Sequence, residues 1–248
     1  GIVRTVDNFG FSGERPSHPE LLDYLATQFM DRGWSVKALI KEIVMSRTYR
    51  QSSVYRPEAF EKDPDNRLLW RANKRRLDAE VIRDSMLAVA GVLDPSRRPG
   101  SLVAELDGQS VSLIGFNTKL PPDLDDSKRR SIYLPVLRDN LPDVLEQFDV
   151  ANLNLVTGDR DVTNVPLQAL YLLNGPFVQE QASALAKRVQ LSSDRVLCAF
   201  DLCFNRSPDA KEIELAKNFF RGSSTDDLKM LAAFCQSLLS SAEFRFAD

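Results

Sequence analysis

The sequence predicts a mainly α protein, a helical bundle-like domain with an irregular central third that contains a few short strands. Three observations carry this. Apolar residues recur at helical spacing in both outer parts of the chain, and capping and stop residues bracket those stretches. The loops between the last five stretches are short, which favours antiparallel neighbours. With 248 residues, 43% hydrophobic and 27% charged, the chain can build a substantial core and lacks the composition of a disordered segment.

Residues 1–94 read as an N-terminal helical part, 95–162 as an irregular insertion of loops and short strands, and 163–248 as a C-terminal helical bundle. Together they are expected to form one compact unit of a larger protein. The opening Gly1-Ile2-Val3-Arg4-Thr5, without a Met, reads as the middle of a polypeptide. Ser17 and Glu20 have capping-box spacing, with Pro19 suited to a first turn, and Leu21, Leu22, Leu25, Ala26 and Phe29 follow on one face. Gly33 is a stop. Ser35 can cap a second helix carrying Val36, Leu39, Ile40, Ile43 and Val44. Residues 51–66, with Pro57 and Pro64, read as a connecting loop. Asp78 is placed as the N-cap of a helix that turns Val81, Ile82, Met86 and Val89 inward and ends at Gly91.

Between Pro95 and Pro122 the glycines and prolines surround short apolar pieces such as Val111-Ser112-Leu113-Ile114, which suit strands. Ser131-Ile132-Tyr133-Leu134 is a further strand candidate, held to an edge by Pro135. The last third predicts five helices. The first is capped by Thr163 or Asn164 and the others run over 176–190, 193–205, 208–221 and 225–241.

Function is harder to read. The formal net charge of -3 argues against a dedicated nucleic-acid binder, and no apolar run reaches the roughly 18 residues of a membrane span. His18 is the only histidine, so nucleophile–base pairs could be built only around it and multi-histidine metal sites are excluded from the chain. Its position between Ser17 and Pro19 suggests a share in the helix cap. Asp63-Pro64-Asp65 and Asp123-Leu124-Asp125-Asp126 lack both the sixth-position Gly and the final Glu of an EF-hand loop, so no metal site is expected. The three cysteines form no Cys-x-x-Cys pair. Cys198 and Cys203 fall about 140° apart around a helix, so small core residues are the expectation.

The basic run Arg67 to Arg76 includes Trp70, which suggests nucleic acid. Asp78, Glu80 and Asp84 follow at once, and a self-neutralising polar cluster of Arg76, Asp78, Glu80 and Arg83 is the favoured reading. Arg130, Arg138 and Arg160, in or beside the irregular third, and Asn174 are candidate ligand-binding residues. Arginine forks with amides can hold a carboxylate, a sulfate or sugar hydroxyls, and can equally pin loops through backbone carbonyls.

Several phrases together resemble one family: Pro16-Ser17-His18-Pro19-Glu20-Leu21-Leu22-Asp23, Gly33-Trp34-Ser35, Ser46-Arg47-Thr48-Tyr49-Arg50-Gln51, and Asn66-Arg67-Leu68-Leu69-Trp70 leading to Arg76-Leu77-Asp78-Ala79-Glu80. Arg130-Ser131-Ile132-Tyr133-Leu134-Pro135, Thr163-Asn164-Val165-Pro166-Leu167-Gln168 and Leu173-Asn174-Gly175-Pro176-Phe177-Val178 continue it in order. They resemble the C-terminal domain of unknown function 1553 found in planctomycete cytochrome-C-domain proteins. The resemblance implies a large exported bacterial protein, periplasmic or secreted, in which a haem-binding cytochrome c domain can precede this one. The partners it implies are the upstream domains of the same polypeptide. It brings no established catalytic residues. This chain has no Cys-x-x-Cys-His, so no cofactor is expected within it and any haem c would lie upstream. The expected role is an accessory or interaction module. The alternative is part of an envelope oxidoreductase or hydrolase acting on polysaccharide, with Asp78 or Glu80 as acid or base and Arg130 or Arg160 holding substrate.

Overall fold

Helices begin where a side-chain oxygen, or a proline that needs no partner, can settle the first turn. In the computed structural model, residues 2–97, 127–134, 141–152, 156, 158–222 and 227–247 are described. They contain eleven α-helices and two two-residue strands, so the protein is mainly helical. The strand expected at Val111 to Ile114 lies outside the described residues. The chain divides into two units, the first taking residues 1–75, 157–159 and 248 and the second residues 76–156 and 160–247.

The first unit opens with α1 (Pro19–Asp31) and α2 (Val36–Met45). The cap of α1 differs from the sequence expectation. His18 occupies the N-cap without a side-chain cap bond, while the Ser17 hydroxyl donates to the Ile2 carbonyl at 3.1 Å and meets His18 Nδ1 at 3.0 Å. Tying down the irregular chain at Ile2 has taken the hydroxyl that the capping box needed. Gly33 (φ 69°) turns the chain as expected, and Ser35 accepts from the Ala38 amide at 3.3 Å. Tyr24 donates to Glu42 at 3.0 Å and Arg32 pairs with Glu42 at 2.8 Å, closing the hairpin. Neither helix contains a fully buried residue, and the apolar stripe of α2 leaves Val36 and Ile40 exposed.

Residues 51–66 are not all loop. Pro57 at the first position, Glu58 in the first turn and Lys62 in the last turn make a short helix, α3 (Pro57–Lys62). After it the chain ties itself tightly. The buried Asp63 carboxylate accepts from the amides of Arg67 (2.9 Å) and Leu68 (2.7 Å). The Trp70 indole N–H donates to the Asp63 carbonyl at 2.9 Å. The Asn66 amide donates to the Arg71 carbonyl at 2.9 Å, and Gln51 donates to the Leu69 carbonyl at 2.7 Å.

The second unit begins at Arg76, the second residue of β1 (Arg75–Arg76), and ends in β2 (Phe246–Ala247), with which β1 pairs; the Leu77 amide donates to the Arg245 carbonyl at 2.7 Å. Next come α4 (Ala79–Ala90), a 3-10 turn (Ser131–Tyr133), α5 (Asp143–Gln147) and α6 (Pro166–Asn174). The series closes with α7 (Pro176–Val189), α8 (Arg195–Phe204), α9 (Ala210–Phe219), α10 (Leu228–Leu239) and α11 (Ala242–Arg245). The middle of the unit is α7, which packs against α4, α6, α8 and α10. Its Val178, Ala182, Leu185 and Val189 form an i, i+4, i+7, i+11 stripe with essentially no exposure, facing Ile82 and Met86 of α4 and Leu231, Cys235 and Leu239 of α10 in one core. Each full burial of such an aliphatic side chain contributes roughly 1.5–3 kcal/mol.

The starts of α8, α9 and α10 sit one or two residues from the expected signals, because an aspartate takes each of these three caps. Asp194, Asp209 and Asp227 accept first-turn amides of α8, α9 and α10. Ahead of α6 the cap position is Val165, since the Thr163 hydroxyl is bound to Asp149. Gly91 ends α4 in the left-handed region at φ 78°, as expected. A Cβ there would stand 3.3 Å from Arg188 Cδ, and that arginine donates to the Ala88 and Val89 carbonyls at 3.2 and 2.9 Å. The strand expected at Ser131 to Leu134 is a 3-10 turn. The Asp84 carboxylate takes both the Ser131 amide (2.8 Å) and its hydroxyl (2.7 Å), curling the chain away from an extended path.

Arg206 joins three elements of this unit. Its fork binds Glu212 of α9 at 2.8 and 2.7 Å and Glu243 of α11 twice at 2.7 Å, while Cζ lies 5.5 Å from the rings of Phe200 and Phe204 of α8. Glu212 also completes a capping box with Asp209. The Arg206 fork, helped by the Asp209 amide, lowers the Glu212 carboxyl from 4.5 to about 2. A depressed folded-state value means that the unfolded chain binds the proton more readily. The stabilisation is therefore complete above pH 4.5 and disappears as pH falls towards about 2. We expect Glu212→Gln to lose about 1 kcal/mol or less at pH 7, because Gln keeps the capping-box acceptor and gives up only the partly exposed ion pair with Arg206, and to unfold with a shallower acid dependence between those limits, measured by urea titration across pH.

Candidate functional site

The charged residues at the start of α4 each reach a partner far away in sequence. The helix does not extend back to Arg76, which sits in β1, so Arg76 shares no helical face with Glu80 and Arg83. Arg76 is 5% exposed. Its Nη2 donates to the Phe148 carbonyl at 3.1 Å and to Asp149 at 2.8 Å, and its Nη1 donates to the Thr163 carbonyl. Desolvation alone would push the Asp149 carboxyl up. The Thr163 amide, the Arg76 guanidinium and the Thr163 hydroxyl outweigh it and hold the group below its usual value. Gln168 of α6 donates to the same Thr163 hydroxyl at 3.1 Å, so β1, the turn after α5 and the start of α6 meet at one carboxylate.

Arg83 has no exposed surface at all. Its Nη1 donates to the Arg129 carbonyl at 3.0 Å and to the Ser131 hydroxyl at 3.3 Å, its Nη2 to the Ser127 carbonyl, and Cζ lies 5.7 Å from the Phe177 ring of α7. The neighbouring Asp84 binds Ser131, as described. Arg83 and Asp84 thus hold residues 127–131 against α4 from both charge types. Asp78 occupies the N-cap of α4 without a side-chain cap bond.

Arg160 ion-pairs with Glu80 at 2.6 Å, and this is the pair in the cluster that solvent still reaches on both sides, with side chains 36% and 28% exposed. The hydrogen bond to Glu80 raises the Arg160 guanidinium further above its usual value. Arg130 is half exposed and its Nε lies 3.8 Å from Asp84. Asn174 donates back to the Leu170 carbonyl of its own helix at 3.0 Å. Arg138 lies outside the described residues. The structure therefore brings Arg76, Glu80, Arg83 and Arg160 to one end of α4 and its supporting loops, with Arg130 beside Asp84; Asn174 sits on α6.

Asp149 and Ser131 complete the arrangement and were not singled out in the sequence. Nothing in their spacing marks them, since their roles arise from a fold that closes about 70 and 50 residues of chain. No group of three or more His, Cys, Asp or Glu able to hold a metal occurs among the described residues, nor any helix long and apolar enough to cross a membrane. Cys198 and Cys203 are half-buried and Cys235 is buried, all as free thiols; burial pushes Cys203 and Cys235 up to about 12. They behave as core residues.

A helical domain whose charged residues hold its own loops in place is the class that this geometry defines. The family described as PSD1: Protein of unknown function (DUF1553) matches residues 1–220. The chain belongs to that family. No curated protein and no solved structure matches it.

If Arg83 is a pin, Arg83→Lys should fail to replace it, because an ammonium cannot span three oxygens in a fork. We expect a loss of about 3 kcal/mol in urea unfolding. Arg130→Gln, at a half-exposed and long contact, should change stability by less than about 0.5 kcal/mol.

Proposed function

We propose that this chain is an accessory, interaction-type module of a large exported bacterial protein, packing on the upstream domains of the same polypeptide, one of which can be a cytochrome c domain. The exported setting and the haem-bearing neighbour rest on the family resemblance. The observation that carries the module reading is the use made of the charged groups. Arg76 and Arg83 are spent on backbone carbonyls, and Asp84 and Asp149 on arginine, amide and hydroxyl donors. A general acid or base needs a proton path to substrate and a tuned affinity for it, and these carboxylates are committed to the fold. A c-type haem does not fit here, because the chain has no Cys-x-x-Cys-His and its thiols sit within or against the core.

One pair supports the second reading, part of an envelope oxidoreductase or hydrolase acting on polysaccharide. Glu80 and Arg160 stay partly open to solvent and could serve as acid or base and as substrate holder. The full-length protein distinguishes the two when it is assayed for haem-linked electron transfer and for reducing-sugar release. On the module reading, Glu80→Gln and Arg160→Gln leave any activity within about twofold of wild type, whereas a loss of about a hundredfold or more would give Glu80 the acid–base role.

A further inference from the structure

The hydrogen-bonded segment that follows α3 in the first unit leaves one side chain out of its bonding. Arg71 Cζ lies 4.8 Å from the ring centroid of Trp70 and 5.9 Å from that of Tyr55, in the corner between two rings 6.4 Å apart. Arg56 brings a second guanidinium 5.5 Å from the same indole, with Nη2 donating to the Trp70 carbonyl. Neither arginine has a carboxylate within ion-pair distance among the described residues, and the Arg71 side chain donates no hydrogen bond there. Its Nε is sealed from solvent without a partner. Arg76 and Arg83, whose Nε atoms are sealed in the same way, bind protein oxygens through Nη; Arg71 does not, and two like charges sharing one ring add to the cost.

We propose that Arg71, with Arg56 beside it on Trp70, binds the carboxylate or sulfate group of an acidic saccharide. An oxyanion met end-on by the Arg71 Nη atoms supplies acceptors that the fold does not and offsets the repulsion between the two cations, and stacking on Trp70 and Tyr55 holds the Arg71 fork ready for a two-oxygen partner. The rings beside the fork favour a saccharide over a free inorganic ion. Tyr55 is 52% exposed and Phe60, 5.3 Å from it, is also open, so an apolar surface adjoins the charged one, as an amphipathic ligand needs. Nucleic acid fits less well. The indole is already covered by guanidinium groups and offers little platform for a base, and the net charge of -3 opposes a polyanionic backbone. This site is independent of the module reading.

Trp70 reports directly on the site. The chain has two tryptophans, so Trp34→Phe leaves Trp70 as the sole indole emitter. In that background, fluorescence is titrated with a galacturonic acid trisaccharide, with maltotriose as the neutral control, with sodium sulfate, with sodium chloride at matched ionic strength, and with a thymidine oligonucleotide. The expected result is a saturable change with the acidic trisaccharide, absent with maltotriose and chloride, and weakened about tenfold or more by Arg71→Lys. The Trp70 indole N–H resonance, held by Asp63, must keep its position in that variant, and Arg71→Gln serves as the second variant if it does not. Equal affinity for sulfate and the trisaccharide would remove the role of the sugar ring. No saturation, an unaffected Arg71 variant, or binding confined to the oligonucleotide would overturn the proposal.

Discussion

A guanidinium deprived of all solvent must find its oxygens inside the protein, and the second unit is arranged around that requirement at Arg83. The residue sits on the buried face of α4, a place the helical period reserves for aliphatic side chains, between Ile82 and Met86. Burying it unpaired would cost several kcal/mol, more than most single core contacts return. Two carbonyls and a hydroxyl from residues 127–131 answer its Nη1 and Nη2, with the Phe177 ring on its face. Arg76 repeats the solution a short distance along the chain, with carbonyls from two further segments and the Asp149 carboxylate. Irregular chain is thereby given a defined place against a helical core without a ladder of its own.

Most of the helical architecture was legible because its signals are local. The stripe on α7, the αL glycine after α4 and the Ser35 cap need only neighbouring residues to act. The errors were also local in origin. Ser17, Thr163 and Ser131 are hydroxyl residues that can cap a helix or sit in a strand, and each was recruited instead by a group distant in sequence. The short α3 was missed because two prolines in a polar stretch resemble a loop until Pro57 is recognised as a first-turn residue. The charged cluster was half legible. Its members were visible as a dense run after Trp70, but the partners of Arg76, Glu80 and Arg83 come from chain 44 to 87 residues onward, and no periodicity reports that.

The two units differ in how their apolar residues are used. In the second, the stripes of α4, α7 and α10 close on one another and leave little accessible surface. In the first, α1 and α2 have the same kind of stripe with no residue wholly removed from water, and polar bonds around Asp63, Asn66 and Trp70 carry much of the local order. Hydrogen bonds of that kind each contribute only about 1 kcal/mol net. Local opening free energies are therefore expected to be lower in the first unit than around α7.

The junction of Gly91 and Arg188 ties the closing turn of one helix to another helix 100 residues further along the chain. The terminal carbonyls of α4 are answered by a cation from α7, in place of the solvent that usually satisfies a helix end. Fraying of α4 at that end therefore requires α7 to release its arginine, which couples the unwinding of one rod to the undocking of the other. A side chain at position 91 would be excluded twice, by its backbone angle and by the space the arginine occupies, so this small residue acts as the hinge pin of a long-range clasp.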